Sequence, residues 1–186
     1  MTAVSEKTDY WNAFYAGVTR TAPRKPAQFA AFAAGEAAEL AAVLELGCGN
    51  GRDAEFFGHL GFDVLATDAS PEAIALCQKQ SHQKTVTYAC VPAHKSVETL
   101  AEFGAKHGPF CVYGRFFLHA ITEEEQARLL GALEQSLPSG SLLAFEYRTT
   151  LDAQDDKAFG DHYRRFLDHA AFVATLNDGG YEVLYQ

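Results

Sequence analysis

Between residues 42 and 185 six short apolar runs recur: AVLEL (42–46), FDVLAT (62–67), VTYACV (86–91), FCVYG (110–114), SLLAFEY (141–147) and YEVLY (181–185). Each has the length of a strand, and the stretches between them suit helix. Strands that take turns with helices build a parallel sheet covered on its faces, so the pattern predicts an α/β fold with a doubly wound, largely parallel sheet. The intervening helices carry start signals. Ser70-Pro71 places an N-cap residue before a proline at the first helical position, and Thr122-x-x-Glu125 is a capping box ahead of Leu129, Leu130, Leu133 and Leu137 on one face. Before the first run, aromatic Tyr10, Trp11, Phe14 and Tyr15 precede the Pro23–Pro26 break and an Ala-rich stretch from Ala27 to Ala42. Residues 1–40 are therefore expected to form an N-terminal helical cap, and residues 41–186 the core of a single domain spanning 1–186.

Charge narrows the partners. Fifteen Lys and Arg against 24 Asp and Glu leave a net charge of −9, so the chain as a whole repels polyanions and a nucleic-acid substrate is disfavoured. The amino terminus is polar and aromatic rather than basic then apolar, and no stretch approaches the roughly 18 apolar residues of a membrane span. A cytoplasmic protein without a membrane partner is expected. Cys48, Cys77, Cys90 and Cys111 form no C-x-x-C pair, and the histidines show no ligand spacing, so buried free thiols and no metal are expected.

The first run leads straight into Glu45-x-Gly47-x-Gly49-x-Gly51. A glycine turn leaving a buried strand lets backbone approach a ligand closely, because side chains are absent and positive φ costs little. The nicotinamide fingerprint G-x-G-x-x-G would need glycine at 52, where the chain has Arg52, so a nicotinamide dehydrogenase is disfavoured. At the end of the second run stands Asp68, placed to accept hydrogen bonds from a ribose diol. The alternative reading of Asp68 is an N-cap or Asx turn ahead of Ser70-Pro71.

ELGCGNGRD followed by TDAS resembles the first two motifs of class I S-adenosylmethionine-dependent methyltransferases, whose Rossmann-like core matches the alternation from about residue 40 onward. More narrowly, YWNAFYAG, GCGNGRD, VYGRFFLHAI, FEYRT and DHYRR resemble a bacterial group of small-molecule O-methyltransferases acting on phosphonates and phosphate-type capsule precursors. The resemblance implies S-adenosyl-L-methionine as cofactor, with S-adenosyl-L-homocysteine as product. It implies a cofactor site at Gly47, Cys48, Gly49, Arg52, Asp68 and Ala69, joined by Val91, Arg115 and the lid residues Trp11 and Tyr15. Two departures stand out. CVPAH lacks the acidic residue that many members place against adenine, leaving backbone and apolar packing there. The family's core normally closes with a hairpin of strands six and seven, whereas the sequence stops at Gln186 just after YEVLY, so either a truncation or a missing edge strand is expected.

Ligands of such sheets lie outside the carboxyl ends of the strands, so the residues after runs four and five should select the acceptor. Arg115 and His119 follow run four; Arg148, then His162, Tyr163, Arg164 and Arg165 at an expected helix start, follow run five. Arginine forks and a helix N-terminus suit carboxylate or phosphate oxygens, so Tyr15, Arg115, His119, Arg148, His162, Tyr163 and Arg164 are the expected substrate contacts of a small anionic acceptor. The bland alternative is that these arginines form ion pairs with carboxylates such as Glu45, Glu146, Asp155 and Asp161. His119, Arg115 and Arg148 are the catalytic candidates, His119 as general base, as donor to an anion, or simply as a core histidine. A neutral thiol, amine or hydroxyl acceptor, or a noncatalytic cofactor-binding module, are the rival functions, and a homodimer is compatible with either.

Overall fold

The structure, a computed structural model, describes residues 3–17, 25–92, 95–154 and 163–186. The first apolar run forms β1 (Ala42–Leu46), whose five residues are all buried, as befits a strand with helices over both faces. β2 (Asp63–Asp68), β3 (Val86–Cys90), β4 (Cys111–Arg115) and β5 (Leu142–Glu146) join it in one sheet of order β3-β2-β1-β4-β5. Every pairing is parallel, with Val43 opposite Val64 on one side and Cys111 on the other. The order reverses at β1 and β4, so a crevice opens there at the carboxyl ends of the strands.

Side-chain alternation along β1 splits the core in two. Val43, with Val64, Cys111 and Tyr113, packs beneath α2 (Gln28–Glu36), α3 (Arg52–His59) and α4 (Pro71–Gln80). Ala42, Leu44 and Leu46 face the opposite layer of α5 (Ser96–His107), α6 (Glu123–Ser136) and α7 (His169–Asp178), meeting Leu100, Leu129, Leu133 and Phe172. The expected caps form. Ser70 Oγ accepts the Ala73 N–H with Pro71 at the first helical position, and Thr122 and Glu125 complete a reciprocal capping box. Each such cap stabilises its helix by about 1 kcal/mol.

α1 (Ala3–Ala16) packs on α4 and is pinned where Ser70 Oγ donates to Asn12 Oδ1 at 2.7 Å. Of the expected N-terminal cap, α1 thus reaches the cavity at the strand ends, whereas α2 lies in the helical layer on the sheet face. The Ala-rich stretch is helical only over Gln28–Glu36, with Ala30, Ala33 and Ala37 fully buried.

Two expectations change. Among the described residues, the sixth run, 181–185, pairs with no strand. Tyr181 packs into the α5–α7 layer while the Tyr185 ring meets Phe32 of α2 edge-on at 5.3 Å, so the segment passes from one helical layer to the other instead of extending the sheet. Nor does a helix run through residues 163–166, the described part of the expected helix start. Residues 163–166 run without helix, Arg165 N–H bonds to His119 O and Leu167 N–H to Arg148 O, and α7 starts only after Asp168, whose side chain accepts the Ala171 N–H. The backbone groups of residues 163–166 are therefore not those of a helix N-terminus, and the anion site expected from one is lost.

Candidate functional site

The glycine turn after β1 bends sharply because Gly47 and Gly49 take φ of 71° and 54°, where a side chain is strained. There is also no room for one. A Cβ on Gly47 would lie 2.9 Å from the Phe117 ring, and one on Gly49 would lie 2.5 Å from the Tyr15 hydroxyl. The turn is tied to β2 by Asp68. Its Oδ2 accepts the Gly49 N–H and its Oδ1 the Ser70 N–H, both at 2.9 Å. Asp68 therefore makes the Asx-type contact that the sequence left open while also standing on the crevice wall. Burial raises its pKa, and the N–H donations from Ser70 and Gly49 oppose that rise.

Above the turn lies a cavity of about 460 Å³, inside the range of roughly 300–1,000 Å³ usual for small-molecule sites. Gly47, Cys48, Gly49, Arg52, Asp68 and Ala69 line it, as do Val91, Arg115, Trp11 and Tyr15, so all ten residues expected around a cofactor share this one wall. α1 supplies the roof. Trp11 stacks on Tyr15 with ring centroids 6.1 Å apart, and Phe14 meets Tyr15 edge-on at 5.1 Å. Burial, and then the charge of Asp68, push the Tyr15 hydroxyl well above its usual pKa, so it stays a neutral donor.

The cavity also contains residues not picked out as site residues from sequence: Glu45, Asn50, Asp53, Thr67, Ser70, Pro92, Phe14, Phe116, Phe117, Ala120, Ile121 and Glu125. Glu45 is the most informative. It is 3% exposed, and its Oε2 is buried without a hydrogen-bond partner among the described residues. Neighbouring Asp53 is satisfied, accepting from Ala27 N–H and the Tyr113 hydroxyl. Burial first, and the Asp53 charge second, raise the Glu45 pKa well above the ordinary carboxylate value.

A carboxyl group with a raised folded pKa contributes stability below its unfolded pKa, and loses that contribution as pH climbs through the folded one. The Glu45 contribution should therefore lower the melting temperature of ligand-free protein progressively as pH rises above the ordinary carboxylate range. Glu45→Gln should flatten that decline and melt above wild type at the alkaline end, as read by thermal scans across the series.

The expected cationic rim is largely compensated. Arg115 lines the wall and pairs with Glu146, Nε to Oε2 2.8 Å, in a contact whose N–H is not aligned as a hydrogen bond. Arg148 pairs with Asp152 at 3.2 Å and does not line the cavity. Arg165 is turned inward, donating to the carbonyls of Ile121 and Leu118 and to Gln126, where it fastens the cavity loop to α6. Tyr163 and Arg164 lie off the cavity lining, and His162, like Asp155 and Asp161, lies outside the described residues.

His119 sits in a short 3₁₀ turn, Leu118–Ala120, rather than one α-helical turn from Arg115, and is buried behind the lining. Its Nδ1 accepts the Arg148 N–H at 3.3 Å, which in the neutral ring puts the proton on Nε2. Of the cysteines, Cys48, Cys77 and Cys111 are buried and Cys90 is exposed.

A parallel doubly wound sheet, a glycine turn after its first strand and an acidic residue closing its second define a Rossmann-like, nucleoside-type binding site. The sequence matches the methyltransferase domain family over residues 18–183, and the chain belongs to that family. Solved structures share the fold. An S-adenosylmethionine-dependent methyltransferase from Anabaena variabilis superposes with a TM-score of 0.75 at 18% identity, over 100% of this chain and 84% of that one. Magnesium protoporphyrin IX methyltransferase from Synechocystis, with bound S-adenosylmethionine, gives 0.68 at 14% identity over 100% and 89%. The glycopeptide N-methyltransferase MtfA gives 0.63 at 17% identity over 84% and 85%. No curated protein matches the sequence. Among the described residues no helix is long and apolar enough to cross a membrane.

Proposed function

We propose that this chain transfers a methyl group from S-adenosyl-L-methionine to an oxygen of a small anionic acceptor, with a phosphonate or phosphate-type oxyanion favoured. One observation carries the reading: one cavity is lined both by the tied pair Gly49 and Asp68 and by Arg115. The residues fit such a donor. The turn gives side-chain-free backbone at Gly47 and Gly49, Asp68 offers a carboxylate for a diol, and the unpartnered Glu45 oxygen suits an ammonium group. When bound, the donor supplies a methyl carbon on a cationic sulfur, open to in-line displacement.

The chain's part is then positioning and exclusion of water. Tyr15 and Trp11 close the roof, and Arg115 holds the acceptor with its fork. On this reading His119, which accepts the Arg148 N–H and lies off the cavity lining, does not serve as a base, so the acceptor oxygen should arrive already ionised, as phosphonates and carboxylates do near neutral pH. A neutral thiol, amine or hydroxyl acceptor is the second reading, favoured by the rings of Phe14, Phe116 and Phe117 on the same walls.

Calorimetry with S-adenosylmethionine, and then an assay of S-adenosylhomocysteine release over phosphonates, carboxylates, phosphate monoesters and neutral acceptors, tests both. Turnover should be confined to anions, and Arg115→Ala should raise the acceptor KM at least about tenfold, the value of one lost charge-assisted contact. No heat with the donor would end the reading; unchanged turnover of a neutral acceptor in Arg115→Ala would favour its rival.

A further inference from the structure

Phe116, the residue directly after β4, has φ 57°, and it alone among described non-glycine residues is left-handed. A bulky L-residue is crowded there by its own Cβ, and such strain persists where the surroundings over-determine it. The surroundings do so here. The Phe116 N–H donates to Glu146 O at 2.7 Å, and its ring lies 5.3 Å from that of His119. The Arg115 guanidinium carbon sits 4.2 Å from the ring centroid and that of Arg148 sits 5.5 Å away, both within reach of cation–π attraction.

Two like charges thus share one aromatic ring, and each is also pinned by a carboxylate, Arg115 by Glu146 and Arg148 by Asp152. Left to itself an arginine so close to a second one would swing toward solvent. The ring and Glu146 together fix the Arg115 fork, and its terminal nitrogens have no hydrogen-bond partner among the described residues. Phe116 itself lines the cavity beside Arg115.

We propose that Phe116 is the positioning residue that makes the acceptor end selective for an oxyanion with two equivalent oxygens, because its left-handed backbone holds the ring beneath Arg115 and Arg148 and so aims the Arg115 fork into the cavity. The inference rests on the reading that the acceptor binds beside the donor at Arg115. It makes the π face, and not the apolar bulk, the property that matters. Leucine keeps much of the volume and loses the face; tyrosine keeps the face; glycine releases the backbone strain and loses the ring.

The experiment titrates methylphosphonate into protein saturated with S-adenosylhomocysteine, by calorimetry and by the fluorescence of Trp11, the single tryptophan of the sequence, which lies in the cavity wall. Wild type and Phe116→Tyr should bind the probe within about threefold of one another, and Phe116→Leu and Phe116→Gly at least about tenfold more weakly. Affinity for S-adenosylhomocysteine is measured in all four so that every probe titration runs at a saturated donor site, and melting temperatures should separate Phe116→Gly, which is relieved of strain, from Phe116→Leu. Equal probe affinity in wild type and Phe116→Leu, or restored affinity in Phe116→Gly, would overturn the role of the ring while leaving the donor site standing. Failure of wild type to bind methylphosphonate would overturn the oxyanion site, and failure to bind S-adenosylhomocysteine would remove the donor reading on which it rests.

Discussion

Asp68→Ala should weaken S-adenosylhomocysteine binding by at least about 100-fold, measured by calorimetry on folded protein. The carboxylate does two things at once. It accepts the Gly49 and Ser70 N–H groups, each at 2.9 Å, and so ties the glycine turn to the start of α4 before any ligand arrives. On the proposed function it also meets the donor's diol. Hydrogen bonds to a charged group contribute about 1.5–3 kcal/mol each, so losing even two amounts to about 3 kcal/mol, which is roughly two orders of magnitude in Kd. Asp68→Asn separates the parts. An amide can accept one of the two backbone N–H groups but turns its NH₂ toward the other, so an intermediate loss, about tenfold, is expected. Ser70, whose hydroxyl both caps α4 and holds Asn12 of α1, loses its backbone anchor in the alanine variant, so the roof should loosen too. Trp11 fluorescence reports that directly. Donor affinity within about threefold of wild type in Asp68→Ala would mean that this carboxylate serves the backbone alone.

The parts of the site that were legible in the sequence are those dictated by backbone. Gly47 and Gly49 announce positive φ, and Ser70-Pro71 and Thr122-x-x-Glu125 announce helix starts, because each is a local demand met by few residue types. The alternation of runs determined the sheet for the same reason, since a short apolar run buried on both faces suits a central parallel strand. The hidden parts depend on pairing across space. A rim of arginines looks like an anion site in sequence, yet Glu146 and Asp152 take up much of it, and Arg165 spends its donors on carbonyls of the 118–121 loop. The Arg148–Asp152 pair could have been read from its spacing of four, and Thr149-x-x-Asp152 from its likeness to a turn, with Asp152 accepting the Thr149 N–H. Phe116 gave no such signal, because phenylalanine is among the last residues expected at positive φ. YEVLY alternates like a strand, but its tyrosines are drawn to separate helical layers, and tertiary contact overrode the local pattern.

Gly49→Ala should damage both stability and donor binding, and Tyr15→Phe should repair part of that damage. At φ 54° an alanine costs about 1–2 kcal/mol through its Cβ alone. The same Cβ would stand 2.5 Å from the Tyr15 hydroxyl oxygen, nearer than unbonded atoms approach, so something must move. Tyr15 cannot simply swing aside, since Trp11 stacks on it, Phe14 abuts it, and Asn12 is bonded to Ser70. The strain therefore passes either into α1 or into the turn, and both are walls of the cavity. We expect about 2–3 kcal/mol lost from unfolding and about 100-fold from S-adenosylhomocysteine affinity. Removing the hydroxyl leaves the ring carbon Cζ at 3.5 Å from the new Cβ, an ordinary contact. The double variant should then keep the backbone cost and shed the clash, giving a coupling of at least about 1 kcal/mol in a double-mutant cycle read by thermal and denaturant unfolding. Strict additivity would show that α1 does not seat Tyr15 over the turn in solution, and the roof of the donor site would have to be sought elsewhere.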